Sequence, residues 1–265
     1  MTNPEKPAIS RLPKISALQF VLWVAVGAII IVSIGQVGPS PEQLAKGLPR
    51  MADLVGRMSP PNVEAEFLWR IFIKLIETFL IAIAGTFIGL LISVPIGWLS
   101  ARGVSPFQSL TFLFKGLVSF FRTVPDLVWA LLFVASVGLG AVAGTMTIIV
   151  DTIGFCGRFF AEAMEDAEKA PQQALESMGA GKLPILLGAV IPDAAPSMIN
   201  TSLFALEKAV RSSVVLGLVG AGGIGQELKV AFDLFQYQNA ATIIIAIFIV
   251  VIAMEWATDR IRSRM

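Results

Sequence analysis

The sequence is poor in the side chains on which most catalytic and metal sites depend. It has no histidine, the commonest metal ligand and acid–base catalyst, and only one tyrosine in 265 residues. Its single cysteine, Cys156, cannot form an internal disulfide. The position of Cys156 between Gly154 and Gly157 predicts a small packing residue at a helix crossing. The sequence therefore lacks the side chains that most enzymes use for catalysis.

Charged residues are scarce as well. They make up 15% of the chain, against roughly a quarter in soluble domains, whereas 55% of the residues are hydrophobic. The mean hydropathy is +0.78. The net charge of +1 argues against a nucleic-acid partner, which would favour a basic surface. The composition therefore predicts an all-α polytopic bundle in a lipid bilayer.

Six apolar runs are long enough to cross a hydrocarbon core of roughly 30 Å. The predicted spans are 15–35, 71–99, 107–137, 141–160, 193–218 and 240–256. The third run is long for one crossing, and Pro125 is expected to bend it near its middle. The first run is interpreted as a retained anchor, because it exceeds the usual signal-peptide core of about 7 to 15 residues and lacks a cleavage site.

Basic residues predict the orientation of the spans. They flank the first and the last span: Lys6, Arg11, Lys14, Arg260, Arg262 and Arg264. By the positive-inside rule, both termini are expected in the cytoplasm. Residues 1–70 are then a cytoplasmic tail, the first transmembrane helix and an extracytoplasmic loop, and residues 71–265 form the core transmembrane domain. The acidic segment 161–182 is cytoplasmic by the count of spans, since acidic residues contribute little to topology.

Two pairs of opposite charges lie inside predicted spans. Glu207 and Arg211 are four residues apart and share one helix face, and Arg122 and Asp126 repeat that spacing beside Pro125. Charge at this depth is tolerated when it meets a partner or a water-filled cavity. Two interpretations stay open. The pairs are structural, or the arginines line a path in which a guanidinium offers a fixed site for a phosphoryl-type oxyanion.

A glycine run follows the fifth span. Gly220, Gly222 and Gly225 satisfy the spacing of a dinucleotide-binding fingerprint, but no strand precedes them and a short amphipathic helix follows. Gly220, Gly222, Gly223 and Gly225 are instead predicted to form a sharp turn, or a gate where helices of two subunits meet. A phosphate-binding loop is also missing around Lys182, so the sequence predicts that the chain does not hydrolyse ATP by itself.

Residues 173–192 read QALESMGAGKLPILLGAVIP. Their spacing resembles the coupling loop of bacterial ATP-binding-cassette (ABC) importer permeases, in which a cytoplasmic helix near 170–182 contacts the ATPase. The positions on that frame are Gln173, Ala174, Leu175, Gly179, Ala189, Ile191 and Pro192. The match is partial, because glutamate, alanine, isoleucine and leucine of the family are replaced by Gln173, Leu175, Ala189 and Ile191.

From about residue 77 onward the chain is similar to the permease subunit of phosphonate-type importers, relatives of the methionine-type permeases. The resemblance rests on the coupling frame, the kinked span 121–133, the charged segment 207–215 and the glycine run 219–225. It implies a type I importer permease fold in the bacterial inner membrane. It also implies a substrate path that includes Arg122, Asp126, Glu207, Arg211 and Ser212.

The resemblance further implies an assembly. Its parts are a homodimer of this chain within membrane lipid, two cytoplasmic ATP-binding subunits and an extracytoplasmic binding protein that delivers phosphonate, phosphite or phosphate. The chain itself would need no cofactor, because the partner ATPase binds ATP and magnesium. Three alternatives stay open: a permease for methionine or another small solute, an ATP-independent secondary transporter, and an intramembrane enzyme. A secondary transporter should show an inverted repeat, which the sequence lacks, and an enzyme would need clustered catalytic groups.

Overall fold

The computed structural model describes residues 16–38 and 40–263. The basic residues Lys6, Arg11, Lys14 and Arg264, on which part of the predicted orientation rests, lie outside the described residues. The chain divides into two compact units, Met1–Gly56 and Arg57–Met265. Within the described ranges, all regular structure is helical, as the sequence predicted.

The first unit contains helix α1 (Ala17–Val37) and nearly all of α2 (Pro41–Arg57). Ser16 caps α1 because its hydroxyl accepts the N–H of Gln19, whose side chain in turn accepts the N–H of Ser16. The 21 residues of α1 extend for about 32 Å, enough to cross the hydrocarbon core. This helix confirms the predicted first span.

The described residues of the second unit form nine further α-helices. They are α3 (Ala65–Ser100), α4 (Thr111–Thr123), α5 (Asp126–Val137), α6 (Ala141–Asp166), α7 (Lys169–Ser177), α8 (Lys182–Ile185), α9 (Ile191–Gly217), α10 (Ile224–Asp233) and α11 (Tyr237–Arg262). A 3₁₀ turn at Gln108–Leu110 precedes α4, and a π-helical turn at Leu186–Val190 joins α8 to α9. Five helical segments of the described chain, including α1, have the length and apolarity of a membrane span, and the α4–α5 pair makes six. The predicted all-α fold is confirmed, with five candidate spans, or six if the α4–α5 pair crosses as one.

Small residues let α3 and α6 approach closely along one face. A Cβ atom at Gly85 would lie 2.6 Å from Cβ of Ile148, and a Cβ atom at Gly89 would lie 2.6 Å from Cβ of Thr152. The two glycines and their two partners are each four residues apart, so the contact repeats once per turn. Close packing of this kind associates helices in lipid, where the hydrophobic effect between helices is weak. Cys156, also in α6, is fully buried in an apolar cluster, in agreement with its predicted role as a packing residue.

The third span is broken rather than bent. Helices α4 and α5 meet at 87° across Val124 and Pro125. Pro125 has no N–H to donate, and its ring keeps Val124 in an extended conformation with ψ of 121°. Arg122 and Asp126 are therefore on different helices, and the predicted one-turn relationship between them is wrong.

The fifth span begins earlier than predicted. A continuous helical segment runs from Lys182 to Gly217, where the sequence indicated 193–218. Pro192 cannot donate to the carbonyl of Gly188, and the π-helical turn at Leu186–Val190 accommodates that missing bond without ending the helix. Helix α7 and the glycines after it therefore lie directly before a span.

Candidate functional site

Helix α9 carries an ion pair near its centre. Nη1 of Arg211 lies 2.8 Å from Oε1 of Glu207. The Glu207 side chain is 10% exposed, whereas the Arg211 side chain is 44% exposed. A guanidinium has five N–H donors, and this contact engages one of them. Glu207 thus orients Arg211 while leaving donors for a second, anionic partner.

The next residue links α9 to the broken span. The Ser212 hydroxyl donates to Oδ2 of Asp126 over 3.0 Å, and Oδ1 of Asp126 accepts the N–H of Leu127 over 2.9 Å. Asp126 is the first residue of α5, where the helix dipole favours a carboxylate. Arg122 does not join these residues, because its guanidinium carbon lies 5.9 Å from the ring centre of Phe159 in α6. The structure thus brings four of the five predicted path residues to adjacent positions of α9 and α5, and it places Arg122 against α6.

The sequence did not predict the ion pair between Lys208 and Asp151. Nζ of Lys208 lies 2.7 Å and 2.9 Å from the two carboxylate oxygens of Asp151 in α6. The same ammonium lies 5.3 Å from the ring centre of Phe155. Asp151 stands alone as an acid within the apolar run 141–157, and this isolation was the signal in the sequence. Since Lys208 is held by both carboxylate oxygens, Arg211 is the better placed of the two cations to receive an anion.

Acidic and aromatic side chains continue along α6. Residues at spacings of four and three share one face of a helix, and those residues are Asp151, Phe155, Arg158, Glu162 and Glu165. Neighbouring helices bring cations to it, since Lys208 contacts Asp151 and Lys115 lies 2.8 Å from Oε1 of Glu165. At a rise of about 1.5 Å per residue, this face extends for about 21 Å along α6. It is a polar strip on a helix that otherwise packs in the apolar core.

The glycine run forms a turn that is bonded to α3. Gly220, Gly222 and Gly223 have φ values of +93°, +84° and +73°, which favour glycine. The N–H of Gly223 donates to Oε1 of Glu77 over 3.1 Å, and the N–H of Ile224 donates to the Thr78 hydroxyl over 2.8 Å. These bonds fix where α10 begins relative to α3. The role of the run as a gate stays a prediction.

Close approach is the second reason for glycine here. Gly225 lies in the first turn of α10, and a Cβ atom there would overlap the carbonyl oxygen of Val214 and lie 2.9 Å from Cα of Gly217. Both neighbours are backbone atoms of α9, so neither can move aside cheaply. The start of α10 therefore packs directly against the end of α9.

The predicted coupling segment is a short surface helix. In α7, Gln173 and Ala174 are exposed, whereas Leu175 is half-buried against the apolar cluster that contains Ile185. Gly179, with φ of +81°, ends the segment, and the N–H of Ala180 donates to the carbonyl of Leu175 over 3.1 Å. One apolar side chain thus anchors the helix, and its other face is available to a partner.

The fold and these contacts define a class of protein: a polytopic membrane subunit with charged side chains paired inside its bundle and a short exposed helix before one span. Residues 93–265 match the family described as binding-protein-dependent transport system inner membrane component, and the chain belongs to that family. It is therefore an inner-membrane transport component.

Two curated relatives carry more specific names. The chain is 36% identical over 216 residues to the phosphite transport system permease protein PtxC of Stutzerimonas stutzeri, across 82% of this chain and 76% of that protein. It is 37% identical over 209 residues to the phosphate-import permease protein PhnE of Mycolicibacterium smegmatis, across 79% of this chain. The match spans 39% of the length of the second relative.

A solved structure shares the fold. It is a chain of the MetNI methionine ABC transporter in an inward-facing conformation, with a TM-score of 0.64 and 25% sequence identity. The likeness covers 76% of this chain and 99% of that chain. The predicted importer-permease fold is confirmed.

Proposed function

We propose that this chain is the permease subunit of an ATP-driven importer for phosphonate, phosphite or a related phosphorus oxyanion. The relatives named for phosphite and phosphate support the substrate class. The observation that carries the proposal is the Arg211–Glu207 pair, which offers an oriented guanidinium within a membrane span. Such a group suits an oxyanion, whereas a neutral solute would not require it.

The proposed assembly is a homodimer of this chain with two cytoplasmic ATP-binding subunits and an extracytoplasmic binding protein. ATP and magnesium bind to the ATPase subunits, and the chain itself contributes no catalytic group or cofactor. Both termini and α7 lie on the cytoplasmic side. Closure of the ATPase dimer moves the two α7 helices, and the bundle converts that motion into alternating access. The methionine ABC transporter of the same fold supports this arrangement.

Reconstitution of the complete importer tests the proposal. Proteoliposomes that contain this chain, its ATPase and its binding protein are given methylphosphonate, aminoethylphosphonate, phosphite, phosphate or methionine. ATP hydrolysis and solute uptake are measured for each. We expect stimulation by at least one phosphorus oxyanion and none by methionine. Stimulation by methionine alone would identify a methionine-type permease, and uptake without any ATPase would identify a secondary transporter.

A charge on the exposed face of α7 is expected to uncouple the importer. Ala174→Glu places a carboxylate on a surface position, so the stability of the permease should change by less than about 0.5 kcal/mol. Uptake should fall at least about tenfold, because burying an unpaired charge against the ATPase costs more than about 1.4 kcal/mol. Uptake and ATP hydrolysis are measured together in the reconstituted importer.

The matched control is Ala45→Glu, which adds the same charge to an exposed alanine of α2. This variant should retain uptake. Membrane insertion of both variants is checked by their yield and by gel filtration in detergent. If Ala174→Glu transports at the rate of the unmodified importer, α7 is not the contact with the ATPase.

A further inference from the structure

A second polar site lies away from the charged centre of α9. A cavity of about 170 Å³ opens between the end of α3, the middle of α4 and the C-terminal part of α6, and none of its lining residues belongs to the predicted path. The polar lining residues are Ser100, Lys115, Ser119, Arg158, Glu162 and Glu165. The last residues of α3 and α6 lie there, so the cavity is at the end of the bundle from which the chain continues into α7. Its volume corresponds to roughly five water molecules, enough for a tetrahedral oxyanion.

One polar group at the cavity, the hydroxyl of Ser100, is buried without a hydrogen bond to any described residue. The Ser100 side chain is 1% exposed, and within the described chain its hydroxyl has no hydrogen-bond partner. The buried hydroxyls of Thr78 and Ser93 in the same helix donate to the carbonyl four residues earlier, as is usual in helices. A buried hydroxyl without a partner is costly. A ligand in the cavity would supply the missing contact.

The two cations have donors to spare. Nε of Arg158 contacts Oε1 of Glu162 at 2.8 Å, which leaves the terminal nitrogens of the guanidinium for another acceptor. Lys115 contacts Oε1 of Glu165 at 2.8 Å with one of its three N–H bonds. These donors come from α6 and α4, so an anion between them would bridge two helices.

The carboxylates of Glu162 and Glu165 restrict which anions can bind in the cavity. Oε1 of Glu165 already accepts from Lys115 and, over 2.7 Å, from the N–H of Arg102. Glu162 accepts from Arg158 and is 45% exposed, so it can take a further hydrogen bond. A fully deprotonated anion such as sulfate would be repelled there. A phosphorus oxyanion that retains one proton near pH 7 can donate its P–OH to Glu162 while its charged oxygens face Lys115 and Arg158.

We infer that the cavity lined by Ser100, Lys115, Arg158 and Glu162 binds a monoprotonated phosphorus oxyanion and excludes sulfate. This inference rests on the proposed function, since it makes the cavity the last site on the transport path before the cytoplasm. The polar strip of α6 runs from Asp151, which contacts Lys208 of α9, to Arg158, Glu162 and Glu165 at the cavity.

The test is binding to the purified full-length permease in detergent, measured by isothermal titration calorimetry with inorganic phosphate, methylphosphonate and sulfate. Ser100→Ala removes a hydroxyl that has no partner, so the fold should be unaffected, and phosphate affinity should fall by about 3- to 10-fold. Ser93→Ala, at a buried serine of the same helix that bonds the carbonyl of Gly89, should leave the affinity unchanged. Equal affinities in the Ser100→Ala variant and the unmodified chain would overturn the inference.

Two further variants test the selectivity. Glu162→Gln should admit sulfate with an affinity within about tenfold of that for phosphate, because the repelling charge is gone. Lys115→Gln combined with Arg158→Gln should lose phosphate binding by at least about tenfold, and Lys229→Gln, at an exposed lysine of α10, serves as the control. If Glu162→Gln still rejects sulfate, the selectivity mechanism is wrong.

Transport by the complete importer is measured separately. If the importer carries methylphosphonate and cavity variants bind phosphate normally, the cavity is not a binding site and the proposed function stands. If the importer carries no phosphorus oxyanion although Ser100→Ala weakens phosphate binding, the site stands and the proposed function is wrong.

Discussion

Uptake of phosphorus oxyanions is expected to fall by about 10- to 100-fold when Arg211 is replaced by alanine. The guanidinium is oriented by Glu207 and is the exposed partner of that pair. A hydrogen bond to a charged group contributes about 1.5–3 kcal/mol, and about 1.4 kcal/mol corresponds to tenfold. Arg211→Lys should lose less, because it keeps the charge but not the planar fork. Initial rates of phosphite uptake into proteoliposomes measure the effect.

Two controls separate transport from folding. Arg211→Ala leaves the nearly buried Glu207 without its partner, which itself destabilises a protein. The double variant Glu207→Gln/Arg211→Gln removes both charges, so its thermal stability should recover while uptake stays low. Lys208→Ala should reduce uptake less than Arg211→Ala, because Asp151 already holds that ammonium with both oxygens. Equal and mild losses in the two alanine variants would favour a purely structural ion pair.

Much of the fold follows from local properties of the sequence. The apolar runs predicted the spans because lipid demands that each crossing satisfy its own backbone hydrogen bonds. Pro125 acts through its own φ angle and its immediate neighbour, so its position predicted that the third span is not straight, although a bend was expected and the structure shows a break. The magnitude of the 87° break was not predictable, since it depends on how α4 and α5 pack on α6.

The charged contacts were less accessible from sequence. Glu207 and Arg211 share a helix, and their spacing alone predicted the pair. Lys208 and Asp151 are 57 residues apart, and only the crossing of α9 over α6 brings them together. Within the described chain, the unpartnered hydroxyl of Ser100 likewise depends on how α3, α4 and α6 pack rather than on a motif. Long-range packing therefore decides which charges neutralise each other and which remain available to a substrate.

The sequence could not separate the two roles of the glycine run. A turn explains Gly220, Gly222 and Gly223 through their positive φ angles, but Gly225 has an ordinary helical backbone. Position 225 requires glycine because the backbone of α9 occupies the space that a side chain would need. A substitution at Gly225 therefore tests packing alone.

Gly225→Ala is expected to destabilise the permease by about 3 kcal/mol, because the added methyl group meets the backbone at Val214 and Gly217 rather than a flexible side chain. For a chain of this size, that loss lowers the melting temperature in detergent by about 6–12 °C. The matched control is Gly116→Ala in α4, where a Cβ atom meets nothing within 4 Å and alanine favours the helix. Its melting temperature should stay the same or rise. A decrease of under about 2 °C in Gly225→Ala would mean that α9 and α10 are free to separate, and the glycine would then serve motion at this junction rather than close packing.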